Sequence, residues 1–389
     1  METTVEIDSL AQGGDGVARI EGQVCFVRRG LPGDTLRVRV TRTTKRALWA
    51  EIVEVLKPSP DRIASKETKD GTCTWGHFAY PAQGEWKLRI VRDTLARLGG
   101  IETTPEWCEN ESLRWGYRTR AEFHGDGEHL GFYEQGSHDI VDMDSSPLCH
   151  EKLNAALRIL RDIGIKGTVT VTVNPEGEEV LVWTKFPKRK LKQYFPLANS
   201  ASDEIPRARF FFDDVPVVNG SFSQSSLLLN RMLTRTTHDM IGKVSSLLDL
   251  YCGNGNLSLG LAERCAVTGF DHSRVGVQAA RATKKGDYRT GGEDKMRALI
   301  QKGEHDTILL DPPRVGAKDI MPALGKCSAH TIVYVSCDPA TLARDLKILT
   351  AQGWGLTRST VVDMFPQTPH IETVCRLERV EGRAGHAAD

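Results

Sequence analysis

The thiol of Cys337 lies in the run Val333-Tyr-Val-Ser-Cys-Asp-Pro-Ala-Thr-Leu-Ala-Arg-Asp345, where strand-forming residues give way to a helix signal. Thr331, Ile332, Val333 and Val335 form a β-branched run that reads as a buried strand. Asp338 suits an N-cap and Pro339 a first helical position, and Leu342, Leu346 and Leu349 follow at helical spacing. Cys337 therefore falls at the carboxyl end of a sheet strand, the edge at which open α/β sheets bind ligands. A helix amino end lowers a thiol pKa, and the thiolate is the nucleophile. The competing reading is a buried, inert cysteine. A second candidate is Glu372, which closes Gln367-Thr-Pro-His-Ile-Glu372 after Asp363-Met-Phe-Pro366. On local sequence alone it is an ordinary surface carboxylate.

Three strand units come before Cys337. Val244-Ser-Ser-Leu-Leu-Asp-Leu250 reads as a strand, followed by the turn Tyr251-Cys-Gly-Asn-Gly-Asn256 and a helix expected from Leu257. Backbone amides and a helix start there would face a cofactor. Ala266-Val-Thr-Gly-Phe-Asp271 ends in a carboxylate about twenty residues after the first strand, the usual place for an acid that grips ribose hydroxyls. Thr307-Ile-Leu-Leu-Asp-Pro-Pro-Arg314 is a strand ending in Asp311. The Gly spacing departs from the dinucleotide fingerprint. In this order the units favour a methyltransferase-like sheet that binds S-adenosylmethionine (SAM) over a dehydrogenase.

The remaining chain must position these groups. Its 389 residues suggest roughly two to three domains. Residues 1–60 read as short alternating strands punctuated by Gly and Pro, a small barrel of the oligonucleotide-binding (OB) kind. Residues 61–215 look α+β and residues 216–389 carry the sheet above. A helix is expected at Glu85–Leu98, stopped by Gly99-Gly100, and another at 227–241. The net charge is zero. Yet Arg28, Arg29, Arg37, Arg39, Arg42, Lys45 and Arg46 crowd one segment whose only acid is Asp34, and Lys185, Lys188, Arg189, Lys190 and Lys192 form a second run. Such runs suit a polyanion, or simply a solvated face. Arg118 and Arg120, two apart on an expected strand, can grip phosphate or pair with surface acids. No apolar run is long enough for a membrane helix, and no secretory signal stands at the amino end. Nine scattered Cys point to a reducing cytosol.

As a set these motifs resemble the RNA uracil-5-methyltransferase family. Gly13-Gly-Asp-Gly16 and Leu31-Pro-Gly-Asp34 are similar to its amino-terminal TRAM module, and residues 131–142 resemble its central domain. Ser221-Phe-Ser-Gln224, Asp249-Leu-Tyr-Cys-Gly-Asn-Gly-Asn256, Asp311-Pro-Pro-Arg314, Ser336-Cys-Asp-Pro339 and Gln367-Thr-Pro-His-Ile-Glu372 resemble its signatures. The resemblance implies a class I SAM-dependent methyltransferase (Rossmann-like) sheet of α/β class, an OB-like TRAM barrel over residues 1–60, a central α+β RNA-recognition domain over 61–215 and a catalytic domain over 216–389. It implies SAM contacts at Gln224, Tyr251, Asn256, Asp271, Asp294 and Asp311, with Glu293 the alternative to Asp294. Cys337 matches the nucleophile and Glu372 the base. Because a charged Glu372 would raise the thiol pKa, the helix start and Arg344 are expected to offset it.

Many family members hold a four-Cys iron–sulfur cluster. Here Asp70-Gly-Thr-Cys73 lacks the upstream thiol, only Cys73 and Cys149 occupy ligand positions, and no cluster is expected. The implied partner is RNA, ribosomal more than transfer, with no membrane, a monomeric state and a cytoplasmic location. The rival readings are an RNA cytosine-5-methyltransferase, whose Thr-Cys and Pro-Cys contexts do not occur at a strand end here, and a non-catalytic RNA-binding or ribosome-assembly protein that retains the fold.

Overall fold

The computed structural model describes residues 2–64, 71–134, 137–185, 190–200, 203 and 207–380. Lys188 and Arg189 of the second basic run, Glu67, Thr68, Lys69 and Asp70 ahead of Cys73, and Gln135 and Gly136 of the central motif lie outside them. The chain forms two compact units, Met1–Val91 with Phe365–His370, and Arg92–Met364 with Ile371–Asp389.

In the first unit six strands form one curled sheet in the order Glu2–Glu6, Thr35–Thr43, Ala47–Lys57, Gln23–Val27, Gly16–Ile20, Ser9–Leu10. Alternation turns Val5, Ala18, Cys25, Val27, Leu36, Val38 and Leu48 into one buried core. Asp34, fully buried, accepts from the amides of Leu31 (2.7 Å) and Ser59 (2.8 Å) and from Arg62 Nε (3.0 Å). Burial opposes its ionisation, but Arg62 and the two amides outweigh it and hold its pKa low. The helix Tyr80–Thr94 begins earlier than its apolar pattern suggests. Buried Gln83 exchanges amide bonds with Gln367, donating to Oε1 at 2.9 Å and accepting from the backbone at 3.1 Å, while Lys87 Nζ donates to the Phe365 carbonyl at 3.0 Å. These bonds hold the Phe365–His370 segment within this unit.

The second unit holds two larger sheets. The first runs Ile140–Asp142, Leu130–Tyr133, Arg120–Asp126, Lys166–Val173, Val180–Thr184, Asn199–Ser200. Helix Glu151–Ile163 covers one face with Leu153, Ala156, Leu157 and Leu160, which recur at helical spacing. The second sheet has eight strands in the order Asp287–Thr290, Ala266–Asp271, Ser246–Leu250, Thr307–Leu310, Thr331–Ser336, Glu372–Arg379, Trp354–Val362, Glu106–Cys108. The first five are parallel, and Glu372–Arg379 runs antiparallel to both of its neighbours. All six residues of Thr331–Ser336 are buried, as expected of a central strand covered on both faces. Strand order reverses beside Ser246–Leu250, so the Gly turn sits at the topological switch point. The unit is a class I methyltransferase fold.

The expected helix at 227–241 forms as Leu227–Ile241, with Ser226 capping the Leu229 amide at 3.1 Å. The helix expected from Leu257 does not form. Only a single 3-10 turn, Leu259–Leu261, follows the Gly turn. Leu257, Leu259 and Leu261 are all buried, so one helical stripe cannot serve them. Ser258 Oγ meets Tyr288 Oη at 2.9 Å, and the Leu257 carbonyl meets His238 Nε2 at 2.9 Å, which pins the segment flat.

Candidate active site

The parallel strands bring the acidic residues to one edge. Leu250 lies opposite Phe270 and Leu310, and Leu310 opposite Tyr334. One step further along stand Tyr251, Asp271 and Asp311, on three adjacent strands. Tyr251 takes a left-handed backbone (φ 62°), and Gly253 (φ 55°) and Gly255 (φ 81°) do the same. This sharp turn lets the Gly253 amide donate to Asp271 Oδ2 at 2.9 Å, while Ser273 N donates to Oδ1 at 2.6 Å. Asn256 and Asn230 exchange side-chain amide bonds at 2.7 and 2.9 Å. Tyr251 Oη donates to Glu293 Oε1 at 2.8 Å. Asp294, by contrast, is 92% exposed at its side chain and pairs with Arg297. Of the two acids the sequence offered there, Glu293 is therefore the one brought to the turn. Gln224 sits half-buried in the loop leading to helix Leu227–Ile241.

Asp249, one residue before the end of its strand, was not singled out from sequence. It is 1% exposed, and its Oδ2 has no hydrogen-bond partner. Burial, with Asp311 and Asp271 nearby, pushes its pKa up to about 8 despite a bond from Ser258. Burial and Asp271 likewise push Asp311 up to about 7. Carboxyls that ionise reluctantly around an open turn fit a cationic ligand, which would stabilise their charged forms. The sulfonium and ammonium of SAM meet that requirement, and its ribose hydroxyls suit Asp271. A signal for Asp249 was present in the sequence: an acid set among three leucines of one strand.

The other half of the edge is set by an antiparallel pair. Val335 lies opposite Val374 and Ser336 opposite Thr373. Cys337 and Glu372 each lie one residue beyond that last pair, near enough for the Glu372 charge to act on the thiol. Glu372 is 4% exposed. Burial first, then Asp311, drives its pKa well up, against the pull of Arg314. Cys337 is half-buried, and burial, Glu372 and Asp311 push its thiol up to about 11.

Two expectations are corrected here. The helix start does not offset the rise in the thiol pKa, whose net shift is upward. Asp338 accepts from the Ala340 (2.9 Å) and Thr341 (2.8 Å) amides, so the first donors are spent on a carboxylate that cancels the dipole. Nor is Arg344 the balancing cation. Its Nε donates to buried Asp345 at 2.8 Å and its Nη2 to the Val315 carbonyl at 2.9 Å. The guanidinium that favours the charged forms of both Cys337 and Glu372 is that of Arg314. Its loop is anchored by Thr341 Oγ1 to the Arg314 carbonyl (3.1 Å) and by the Ala317 amide to Asp345 Oδ2 (2.8 Å). Tyr334 Oη donates to the same Asp345 oxygen at 2.8 Å.

Arg118 and Arg120 both keep a buried Nε without a partner, and Arg120 Nη2 donates to the Ser221 carbonyl at 3.3 Å. Neither is in an ion pair among the described residues, which keeps them available to phosphate. Cys73 and Cys149 are both buried. Among the described residues no three of His, Cys, Asp and Glu are gathered to hold a metal.

Residues 297–380 match the family model for tRNA (uracil-5-)-methyltransferase, and residues 2–53 match the TRAM domain. The chain is 30% identical to a 23S rRNA (uracil(1939)-C(5))-methyltransferase RlmD of Azoarcus, over 97% of this chain and 99% of that one. It is 32% identical to an uncharacterised RNA methyltransferase of Nitratidesulfovibrio vulgaris, over 98% and 97%. The solved structure of the Pyrococcus abyssi tRNA (uracil-54, C5)-methyltransferase in complex with S-adenosyl-L-homocysteine is also similar, with a TM-score of 0.75 at 26% identity over 97% of this chain and 100% of that one. Likeness over nearly the full length of each of these proteins shows that the chain belongs to the RNA uracil-5-methyltransferase family of SAM-dependent enzymes.

Proposed function

We propose that Cys337 is the nucleophile and Glu372 the base of this uracil-5 methylation, with ribosomal RNA as substrate. The observation that supports the reading is that Cys337 and Glu372 follow directly on the last antiparallel pair, Ser336 with Thr373, and that the charges of Glu372 and Asp311 both act on the thiol. The Cys337 thiolate forms a bond to C6 of uracil, and the C5–C6 electron pair moves to O4 as an enolate. That makes C5 nucleophilic. Bound SAM supplies an electrophilic methyl group. Once C5 carries the methyl, the Glu372 carboxylate takes the C5 proton, the C5–C6 double bond returns, and the thiolate leaves. A raised pKa suits Glu372 for that step, because the carboxylate then holds a proton well. The base leaves its stack to reach the thiol.

Gln224, Tyr251, Asn256, Asp271 and Asp311 hold SAM, and Glu293 rather than Asp294 completes the set. Residues 1–60 bind RNA, residues 61–215 recognise it through Arg118 and Arg120, and residues 216–389 carry the chemistry. Ribosomal RNA is favoured because relatives similar over nearly the whole chain, the Azoarcus protein among them, are named for 23S rRNA. The protein acts as a monomer in the cytoplasm, a location consistent with relatives named for ribosomal RNA modification. The test is transfer of labelled methyl from SAM to unmodified total RNA, separated by size and digested to nucleosides. Label in 5-methyluridine of ribosomal RNA supports the reading. Label in transfer RNA corrects the substrate, and label in 5-methylcytidine overturns the reaction.

A further inference from the structure

The barrel has two very different cationic surfaces. Arg37 pairs with Glu54 and Arg39 with Glu2, acids delivered by the flanking strands. Arg42, Lys45 and Arg46 are exposed and make no ion pair among the described residues. They border a row of outward side chains that the register assembles across four adjacent strands. Val17 lies opposite Phe26, Phe26 opposite Trp49, and Trp49 opposite Arg42. The Phe26 and Trp49 rings are 5.7 Å apart at 35°. The Arg42 guanidinium lies 4.7 Å from the Trp49 centroid.

Neither ring belongs to the barrel core, which is complete without them. Both are half-exposed, on a barrel only some sixty residues long, where two large apolar groups left in water forgo stabilisation. A tilted aromatic pair beside unneutralised cations matches the chemistry of an unpaired nucleic-acid strand: each base offers a π-face, and each phosphate a charge. A duplex offers no such face, because its bases are stacked inside.

We infer that Val17, Phe26, Trp49 and Arg42 form a stacking platform for unpaired bases of the substrate RNA, with Arg42, Lys45 and Arg46 along its phosphates. The platform rests on the RNA reading above and adds where the barrel grips the strand. Arg37 and Arg39, prominent in the sequence, take no part because their charge is neutralised within the barrel.

The test uses the full chain and a fluorescently labelled single-stranded uridine homopolymer, followed by anisotropy over a range of salt. Phe26→Ala and Trp49→Leu weaken binding about ten-fold each. Arg42→Gln, a surface change that leaves the core intact, lowers the salt slope by about one unit. Arg37→Gln leaves affinity and slope unchanged. Thermal melting and SAM binding of each variant identify any that fail to fold, and Arg42→Gln remains decisive if the aromatic variants do. Wild-type binding by Phe26→Ala, Trp49→Leu and Arg42→Gln, or an equal loss in Arg37→Gln, overturns the platform. Failure of the RNA reading looks different: the unsubstituted enzyme then transfers no methyl to unmodified RNA.

Discussion

One sheet edge carries two halves built by different means. On the parallel side, Tyr251, Asp271 and Asp311 come level because three strands share a register, and each acid belongs to a separate strand–turn unit. On the other side, Cys337 and Glu372 each stand one residue beyond the last pair of an antiparallel ladder, Ser336 with Thr373. The parallel half gathers Asp249 and Asp311, whose pKa values burial raises, around an open turn, which suits a cationic ligand. The antiparallel half brings a thiol near a carboxyl, an arrangement that suits the proposed nucleophile and base. The difference shows that ligand sites accumulate from independent strand ends, whereas a paired catalytic function is most simply made by opposing residues on neighbouring antiparallel strands.

The largest effect expected is in the antiparallel half. Cys337→Ala removes the only proposed nucleophile, and methyl transfer falls by at least about a thousand-fold. SAM affinity, measured by calorimetry, stays within about two-fold, since SAM belongs to the other half. A parallel loss of SAM binding would show that the halves are not separable.

Next comes Asp311, which the two halves share. Burial and Asp271 push its pKa up to about 7, and a cationic ligand would pull it down. Binding therefore favours the ionised form, so SAM affinity rises between pH 6 and 8 and levels off above. Asp311→Asn weakens SAM about ten-fold at pH 8 and flattens this dependence, within what one charge pair contributes.

A graded effect concerns the thiol. With Cys337 pushed up to about 11, the resting group is a neutral thiol at neutral pH. Adduct formation with RNA carrying 5-fluorouridine, in which C5 has no proton to lose, then climbs about ten-fold per pH unit from 7 to 9 as thiolate increases. A plateau near pH 7 would mean a thiolate already formed.

The smallest effect is one of shape. Gly255 has φ 81°, and a Cβ there would lie 2.6 Å from Leu259 Cγ. Gly255→Ala costs about 1–3 kcal/mol of stability, read by denaturant unfolding, and weakens SAM without altering the chemistry at Cys337.

Much of this was legible in the chain. The β-branched run into Ser336-Cys-Asp-Pro339 fixed Cys337 at a strand end, and the cap and the leucines behind it formed as their types dictate. What escaped depended on distant pairing. Glu372 looked like a surface acid because nothing local reports that its strand is antiparallel and central. Arg344 looked like the balancing cation because it lies in the same helix as the thiol, yet Asp345 claims it, and Arg314 arrives from another strand. Arg37 and Arg39 looked free because Glu2 and Glu54 neutralise them only through strand register. Leu257 looked like a helix start because apolar spacing does not reveal that all three leucines are buried.

The most direct test of the account is to incubate Glu372→Gln with SAM and unmodified RNA and follow covalent protein–RNA complex by denaturing electrophoresis and mass spectrometry. The amide keeps the size of the side chain but cannot take the C5 proton. The account predicts that turnover stalls while an adduct accumulates on Cys337, with the methyl group already on the ring. Steady release of 5-methyluridine at the unsubstituted rate, or an adduct on any other residue, would contradict it.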